Sequence, residues 1–339
     1  CSRVVSREVI RENDYNLNIP RYVDSSEEAE SYDIYAAMFG GIPEQELHCF
    51  DSFWKVFPTL KDELFAGENG YLHLCTENIK EAIRKNADVC RFRDTFREAF
   101  EDLGEKMDTA LIDQAERLSV PKIEEDLAGE IFRRFHDIPL LDPYQAYEIF
   151  EDQFSVIGGD LELIQTEGWK AVSQVDPNMV VKKKNGKDVE VQEGWKGHIL
   201  PFDLVQKNCL AAERKDLSDE EEQLAGIPAS YEELLDALSE EEKESISDAL
   251  NDSNDAFVFK NIKTVLKTLK ADSDASPQLI STLQKAEQLN NEEKSLKSEI
   301  RKKEERLHLD TKKTIENLTD GQARILLHQK WAKPVLDGI

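Results

Sequence analysis

The residues best able to do chemistry in this 339-residue chain are six histidines and five cysteines, and their spacing does not assemble a reaction centre. His48, His73, His136, His198, His308 and His328 are strewn along the sequence, and no two fall at metal-ligand intervals. The cysteines are odd in number and form no Cys-x-x-Cys pair, which reads as reduced thiols in a cytosol. No nucleophile has a recognisable base beside it. The expectation is therefore no catalytic residue and no metal, and chemistry of binding instead. The most suggestive group is Lys182, Lys183 and Lys184, placed just before Asn185-Gly186 and flanked by Gly168-Trp169-Lys170 and Gly194-Trp195-Lys196. Asn-Gly is the signal of a two-residue hairpin turn, because both central positions need positive φ. On such a tip the lysines have two roles open to them. They either meet DNA phosphates or a partner, or guard a strand edge while both Trp rings form a small core.

Composition limits what the tip can do alone. The formal net charge is −27, so the chain as a whole repels a phosphate backbone. Contact with DNA must come from a local basic patch or through partner chains. No apolar run reaches the ~18 residues of a membrane span, so no membrane partner is expected.

The elements that must carry these residues are mostly helices. Residues 6–11 end a helix, and residues 12–23 read as a polar turn leading into a strand with Leu17 and Ile19 on one face and Pro20 at its edge. Pro43 suits a first helical position, followed by apolar residues at helical spacing: Leu47, Phe50, Phe53, Trp54 and Phe57. A short helix carrying Leu60, Leu64 and Phe65 closes at Gly67. Helices are expected over 76–104, with Thr76 as cap, over 106–118, and from Pro121 with Ile123, Leu127, Ile131, Phe132 and Phe135 on one face. Asp142 reads as a cap and Pro143 as the first residue of a helix carrying Tyr147, Phe150 and Phe154. Residues 160–206 turn to alternation, at Leu161 and Leu163 and then on both arms of the hairpin. Ser230-x-x-Glu233, Ser239-x-x-Glu242 and Thr319-x-x-Gln322 are capping-box patterns. Val258, Ile262, Val265, Leu266 and Leu269 mark an amphipathic helix. A long helix follows, with Leu279, Leu283, Ala286, Leu289, Leu296, Ile300, Leu307, Ile315 and Leu318 near one stripe, interrupted by Glu293 and Lys303. An imperfect seam of this kind folds back on a neighbour as a helical hairpin. The fold class expected is mainly α: a helical bundle with a small antiparallel β insertion and a carboxy-terminal coiled-coil-like helical hairpin.

One string is far more specific than its composition. Asn13-Asp14-Tyr15-Asn16-Leu17-Asn18-Ile19-Pro20-Arg21-Tyr22, preceded by Glu12 and followed by Val23, closely resembles a segment of the modification (methyltransferase) subunit of type I restriction-modification systems. In that family it lies just after the catalytic domain of an adenine-N6 DNA methyltransferase. Looser similarities follow: Trp54, Phe57, Pro58, Leu60, Leu64 and Phe65 resemble a Trp-x-x-Phe-Pro-x-Leu element of long-tailed members. Leu141-Asp142-Pro143-Tyr144, the Gly-Trp elements about the Lys-rich hairpin, and Lys330-Trp331 also have counterparts. The stretch Leu200-Pro201-Phe202-Asp203-Leu204-Val205-Gln206-Lys207 is similar to another tail string, but Gln206 stands where the family usually has Pro.

The resemblance implies a carboxy-terminal piece, with residues 1–30 the tail end of the methyltransferase domain; the residue patterns divide the rest into a helical domain over 31–155, a small β unit with a hairpin over 156–210, and an acidic helical or coiled-coil region over 211–339. The family's cofactor and catalytic motifs lie upstream of residue 12, and the tail usually continues past the Lys-Trp element, so the chain is expected to be cut at both ends. Asp142-Pro143-Tyr144 has one Pro where amino-directed methyltransferases have two, and no Gly-rich loop follows a strand before it. This chain alone is thus expected to be inactive and to bind no S-adenosyl-L-methionine, the cofactor of the intact parent enzyme. The implied partners are a specificity subunit, a second modification subunit, a restriction subunit, and DNA through the assembled complex. Leu289, Leu296, Ile300 and Leu307 are the expected partner helix face. The competing reading is a stand-alone acidic helical or coiled-coil adaptor.

Overall fold

Helix caps and turns set the frame of a mainly α chain, whose computed structural model describes residues 5–16, 18, 22, 33–184, 187–272 and 275–339. The chain divides into two compact units, Cys1–Glu98 and Ala99–Ile339.

In the first unit, α1 (Arg7–Glu12) is capped by Ser6, and the chain turns sharply after it, with Asp14 and Tyr15 at φ 55° and 56°. Then come α2 (Ile34–Phe39), β1 (Ile42–Pro43), a 3-10 turn (Glu44–Phe50), α3 (Asp51–Val56) and α4 (Pro58–Leu64). Pro43 is not the first helical residue: it pairs with Tyr71 in an edge strand and caps the 3-10 turn. Pro58, which interrupts the helical spacing, opens α4 instead. Leu64 is the last residue of that helix. Phe65 and Gly67 belong to β2 (Phe65–Glu68), which returns as β3 (Tyr71–Leu74) in an antiparallel sheet of order β1-β3-β2. The turn is Asn69-Gly70, at φ 60° and 81°, the same two-residue chemistry as the later hairpin. A Cβ on Gly67 would meet the Tyr71 carbonyl oxygen at 2.1 Å, so only glycine allows this pairing.

The expected continuous helix over 76–104 is broken into α5 (Ile79–Lys85), α6 (Ala87–Phe100) and the start of α7 (Leu103–Met107). Asn78 caps α5, and Thr76 only supports it by accepting from the Asn78 amide. Asn86 divides α5 from α6. Its side-chain oxygen accepts from the Asp88 and Val89 amides, and Asp88 in turn accepts from the amide and hydroxyl of Thr59 at 2.9 and 2.7 Å. Phe57, Leu60 and Leu64 form the core of this unit, covered by Trp54, Ala82, Ile83, Val89 and Phe92.

In the second unit a single π-helical turn (Asp108–Ile112) follows α7, so the helix expected over 106–118 is helical as far as Ile112 and gives way to turns from Asp113. Then α8 (Val120–Phe135) buries Leu127, Ile131 and Phe135 as the spacing requires. Asp142 caps α9 (Pro143–Glu167) by accepting from the Tyr144 amide at 2.9 Å. This helix runs well past residue 160. Leu161 and Ile164 are fully buried on it, so the apparent alternation at Leu161 and Leu163 is helical and the β unit begins later. Gly168, at φ 84°, ends the helix; a 3-10 turn (Trp169–Ser173) then leads into β4 (Val175–Lys184) and β5 (Lys187–Gly197).

The rest is helical: α10 (Phe202–Cys209), α11 (Ala211–Asp236), α12 (Glu240–Ser245), a 3-10 turn (Ser247–Ala249), α13 (Phe259–Ala271), α14 (Pro277–Glu316) and α15 (Asp320–Gly338). The capping boxes at Ser239 and Thr319 form as expected. The one at Ser230 does not: α11 continues through Pro228 and Ser230, held on either side by buried Ile227 and half-buried Tyr231. At 40 residues, α14 spans about 60 Å and is the axis of the unit, packed by α10, α11 and α13. No helix among the described residues is long and apolar enough to cross a membrane.

Candidate interface on the β arm and the long helix

The family-like string is only partly described. Asn13 caps α1 and bonds back to the Val9 carbonyl, the Tyr15 amide donates to Ile10, and the Asn18 amide donates to the Asn16 side chain at 3.0 Å. The Tyr22 hydroxyl donates to the Asn16 carbonyl. Asn13, Asp14, Tyr15, Asn16 and Tyr22 thus form a self-bonded polar turn, as the composition of this stretch leads one to expect. Leu17, Ile19, Pro20 and Arg21, on which the strand expectation rests, lie outside the described residues.

The β4–β5 hairpin pairs Val180 with Val191, Lys182 with Val189, Lys183 with Asp188 and Lys184 with Lys187. That register leaves Asn185 and Gly186, outside the described residues, as the connection. The tip is less basic than its sequence suggests. Lys182 makes an ion pair with Glu193, and Lys183 stands opposite Asp188. The two Trp rings do not form a shared core. Trp169 lies under the Arg324 guanidinium at 5.3 Å and Trp195 under the Lys312 ammonium at 4.0 Å. Trp195 therefore fixes the arm to α14, and Trp169 fixes the 3-10 turn before it to α15, through the attraction of a cation for a π face.

His308 of α14 completes the seat of the arm. Its Nε2 accepts from the Trp195 amide at 2.9 Å, which places its proton on Nδ1, and its ring stacks on Phe202 at 4.9 Å. Gly194, at φ 72°, passes over this ring so closely that a Cβ would lie 2.5 Å from Nε2. Gln206, the departure from the family string, bridges three helices. It donates to the buried Thr311 hydroxyl at 3.1 Å and accepts from Arg214 at 3.1 Å.

The expected partner face is mostly spent inside the chain. Leu296, Ile300 and Leu307 are buried against Leu217 and Ile227 of α11. Within the chain these three residues are thus covered by the fold-back of the seam; of the four, Leu289 stays half-exposed. The two residues that interrupt the stripe are the locks of the hairpin. Glu293 accepts from the Tyr231 hydroxyl at 2.9 Å, and Lys303 is held by Asp216 and by Glu220, the latter at 2.8 Å. Burial and then the adjacent Glu293 push the Tyr231 phenol above its usual range, whereas Lys297 holds the Glu293 carboxyl below the ordinary carboxylate range. The Asp216 and Glu220 carboxylates raise the Lys303 ammonium further. Beside Leu289, between α11 and α14, an open groove of about 610 Å³ is lined by Leu234, Lys285, Glu233 and Glu292.

Two further polar clusters brace the unit. Asp160 of α9 accepts from the Trp331 indole at 2.8 Å and from Lys330, which also reaches the Ile199 carbonyl at 2.7 Å. Arg134, itself buried, binds Asp102, Glu130 and the Ala99 carbonyl; with Lys106 it holds the Asp102 carboxyl down at about 2. Among the described residues no three His, Cys, Asp or Glu side chains converge as a metal site, and Cys49, Cys75, Cys90 and Cys209 are free thiols. No protein-family model matches this chain, nor does any curated protein or solved structure.

Proposed function

We propose that this chain is the carboxy-terminal part of a type I modification subunit, acting in the assembly of an adenine-N6 DNA methyltransferase and in its positioning on DNA. The string from Asn13 to Tyr22 carries the reading. Its physical support is the second unit: a long helix locked to α11 by Tyr231–Glu293 and by Lys303, with a β arm seated on it through Trp195 and His308. A braced strut of this kind transmits position without needing a reaction centre. In this reading the specificity subunit, a second modification subunit and a restriction subunit are partners in a cytoplasmic complex, and DNA is met only through that assembly. S-adenosyl-L-methionine belongs to the parent's catalytic domain.

The burial of Leu296, Ile300 and Leu307 within the chain favours a second reading, a stand-alone acidic helical or coiled-coil adaptor. Co-expression with a specificity subunit, followed by size-exclusion chromatography and calorimetry with S-adenosyl-L-methionine, separates them. Co-elution with no cofactor binding by the chain alone is the expected result. Failure to co-elute supports the adaptor, and micromolar cofactor binding overturns the assignment to a tail.

A further inference from the structure

At the base of the arm, His198 lies between two carboxylates from separate elements. Its Nδ1 is 2.7 Å from Asp176 Oδ2 on β4, and its Nε2 is 3.3 Å from Glu167 Oε1 at the end of α9. The side chain is largely buried. The Nε2 atom is shut off from solvent and makes no well-formed hydrogen bond, and the Glu167 carboxylate lies within ion-pair reach of it. The backbone fixes this placement. The His198 amide donates to the Gln174 carbonyl at 3.0 Å, and Gly197 turns so tightly that a Cβ there would overlap the Leu200 carbonyl.

A neutral imidazole carries one N–H and one bare lone pair. With the proton on Nδ1, bonded to Asp176, the Nε2 lone pair, itself shielded from water, would face the Glu167 carboxylate. Only the imidazolium presents hydrogen to both oxygens. We infer that His198 is a proton-operated latch, fastening the β4–β5 arm to the carboxy-terminal end of α9 when protonated and loosening it when neutral.

The surrounding charges fit that role. Asp176 and Glu167 face the ring from β4 and α9; across the strand register Lys196 stands opposite Asp176. From α15, Lys330 reaches the neighbouring Ile199 carbonyl but is itself engaged by Asp160. The hydrogen bond to Asp176 outweighs burial and raises the imidazole above its ordinary value, with Asp176 and Glu167 charges adding to it. The sign follows: a group raised in the folded state contributes fully at pH below its unfolded value, ~6.5, and its contribution is lost as pH rises through the folded value. The latch is thus closed in mild acid and opens toward alkaline pH. It concerns the attachment of the arm and stands whether or not the arm's tip meets DNA.

Hydrogen exchange of the β4–β5 amides in the full chain, corrected for intrinsic rates between about pH 5.5 and 8.5, tests it alongside an NMR titration of the His198 ring. Arm protection is expected to fall by at least about threefold as the ring loses its proton, with α14 amides unchanged. In His198→Gln the dependence should vanish. If that variant fails to fold, Glu167→Gln, at a partly exposed partner that makes no close hydrogen bond to the ring, should lower the ring's titration point and shift the protection curve with it. Arm protection constant across this range in the parent chain, or a dependence that survives in His198→Gln, overturns the latch.

Discussion

Replacing Leu296 by Ala tests whether the stripe of α14 is an internal seam or a face kept for a partner. Leu296 is 8% exposed and packs in a cluster with Leu217, Ile227, Ile300 and Leu307. Removing three buried carbons costs the lost transfer energy plus a cavity, ~2–5 kcal/mol in well-packed cores. This seam is only two helices thick, and Leu224 and Tyr231 at its rim can relax into the gap. The expected loss is therefore at the lower end, about 2–3 kcal/mol. Each 1.4 kcal/mol is tenfold, so amides of α14 that open with the seam should lose protection by roughly 30- to 150-fold. Ile300→Ala, one turn on, should act similarly, and the double variant should fall short of the sum because the two share neighbours. The assay is hydrogen exchange of the isolated chain. Losses below about 0.5 kcal/mol for both variants, with assembly intact, would mean that the seam is not the one described.

Asp142→Ala removes the cap of α9 and should cost about 0.5–2 kcal/mol, read as a lower urea midpoint at unchanged m-value. Asp102 is held at about 2 by Arg134 and Lys106; a depressed carboxyl stabilises above its unfolded value of ~3.9 and loses that contribution as pH falls through the folded one. Asp102→Asn should therefore lower the unfolding midpoint at pH 6 but leave it little changed near pH 2, and an equal shift at both would refute the pairing. Alanine at Lys182, Lys183 and Lys184 together should leave the isolated chain without detectable affinity for DNA, as in the parent. In an assembled complex it should weaken specific and nonspecific binding alike. Because Lys182 is engaged by Glu193, the salt slope should fall by no more than roughly 2 units. An unchanged slope would assign the tip to edge protection.

The sequence by itself determined whatever depends on neighbours within a helical turn or a two-residue loop. Asp142, Ser239 and Thr319 announce their caps because the cap and the amide it satisfies are two or three residues apart. The stripe from Leu279 to Ile315 announces one long helix because a period of 3.6 is a local property. Asn69-Gly70 was equally legible as a hairpin but is masked by flanking residues that also suit a helix end. Tertiary structure decided the rest. Ser230-x-x-Glu233 has the same pattern as the working caps, yet packing of Ile227 and Tyr231 on α14 carries the helix straight through it. Whether Leu296 faces a partner or α11, and whether Lys182 is free or paired, turns on which segment lies across from it. The pairing of Trp195 with His308 spans 113 residues, and that of Trp331 with Asp160 spans 171. Contacts so distant leave no periodic trace in the chain, because each is fixed by the sum of many packed elements rather than by either residue's own neighbours.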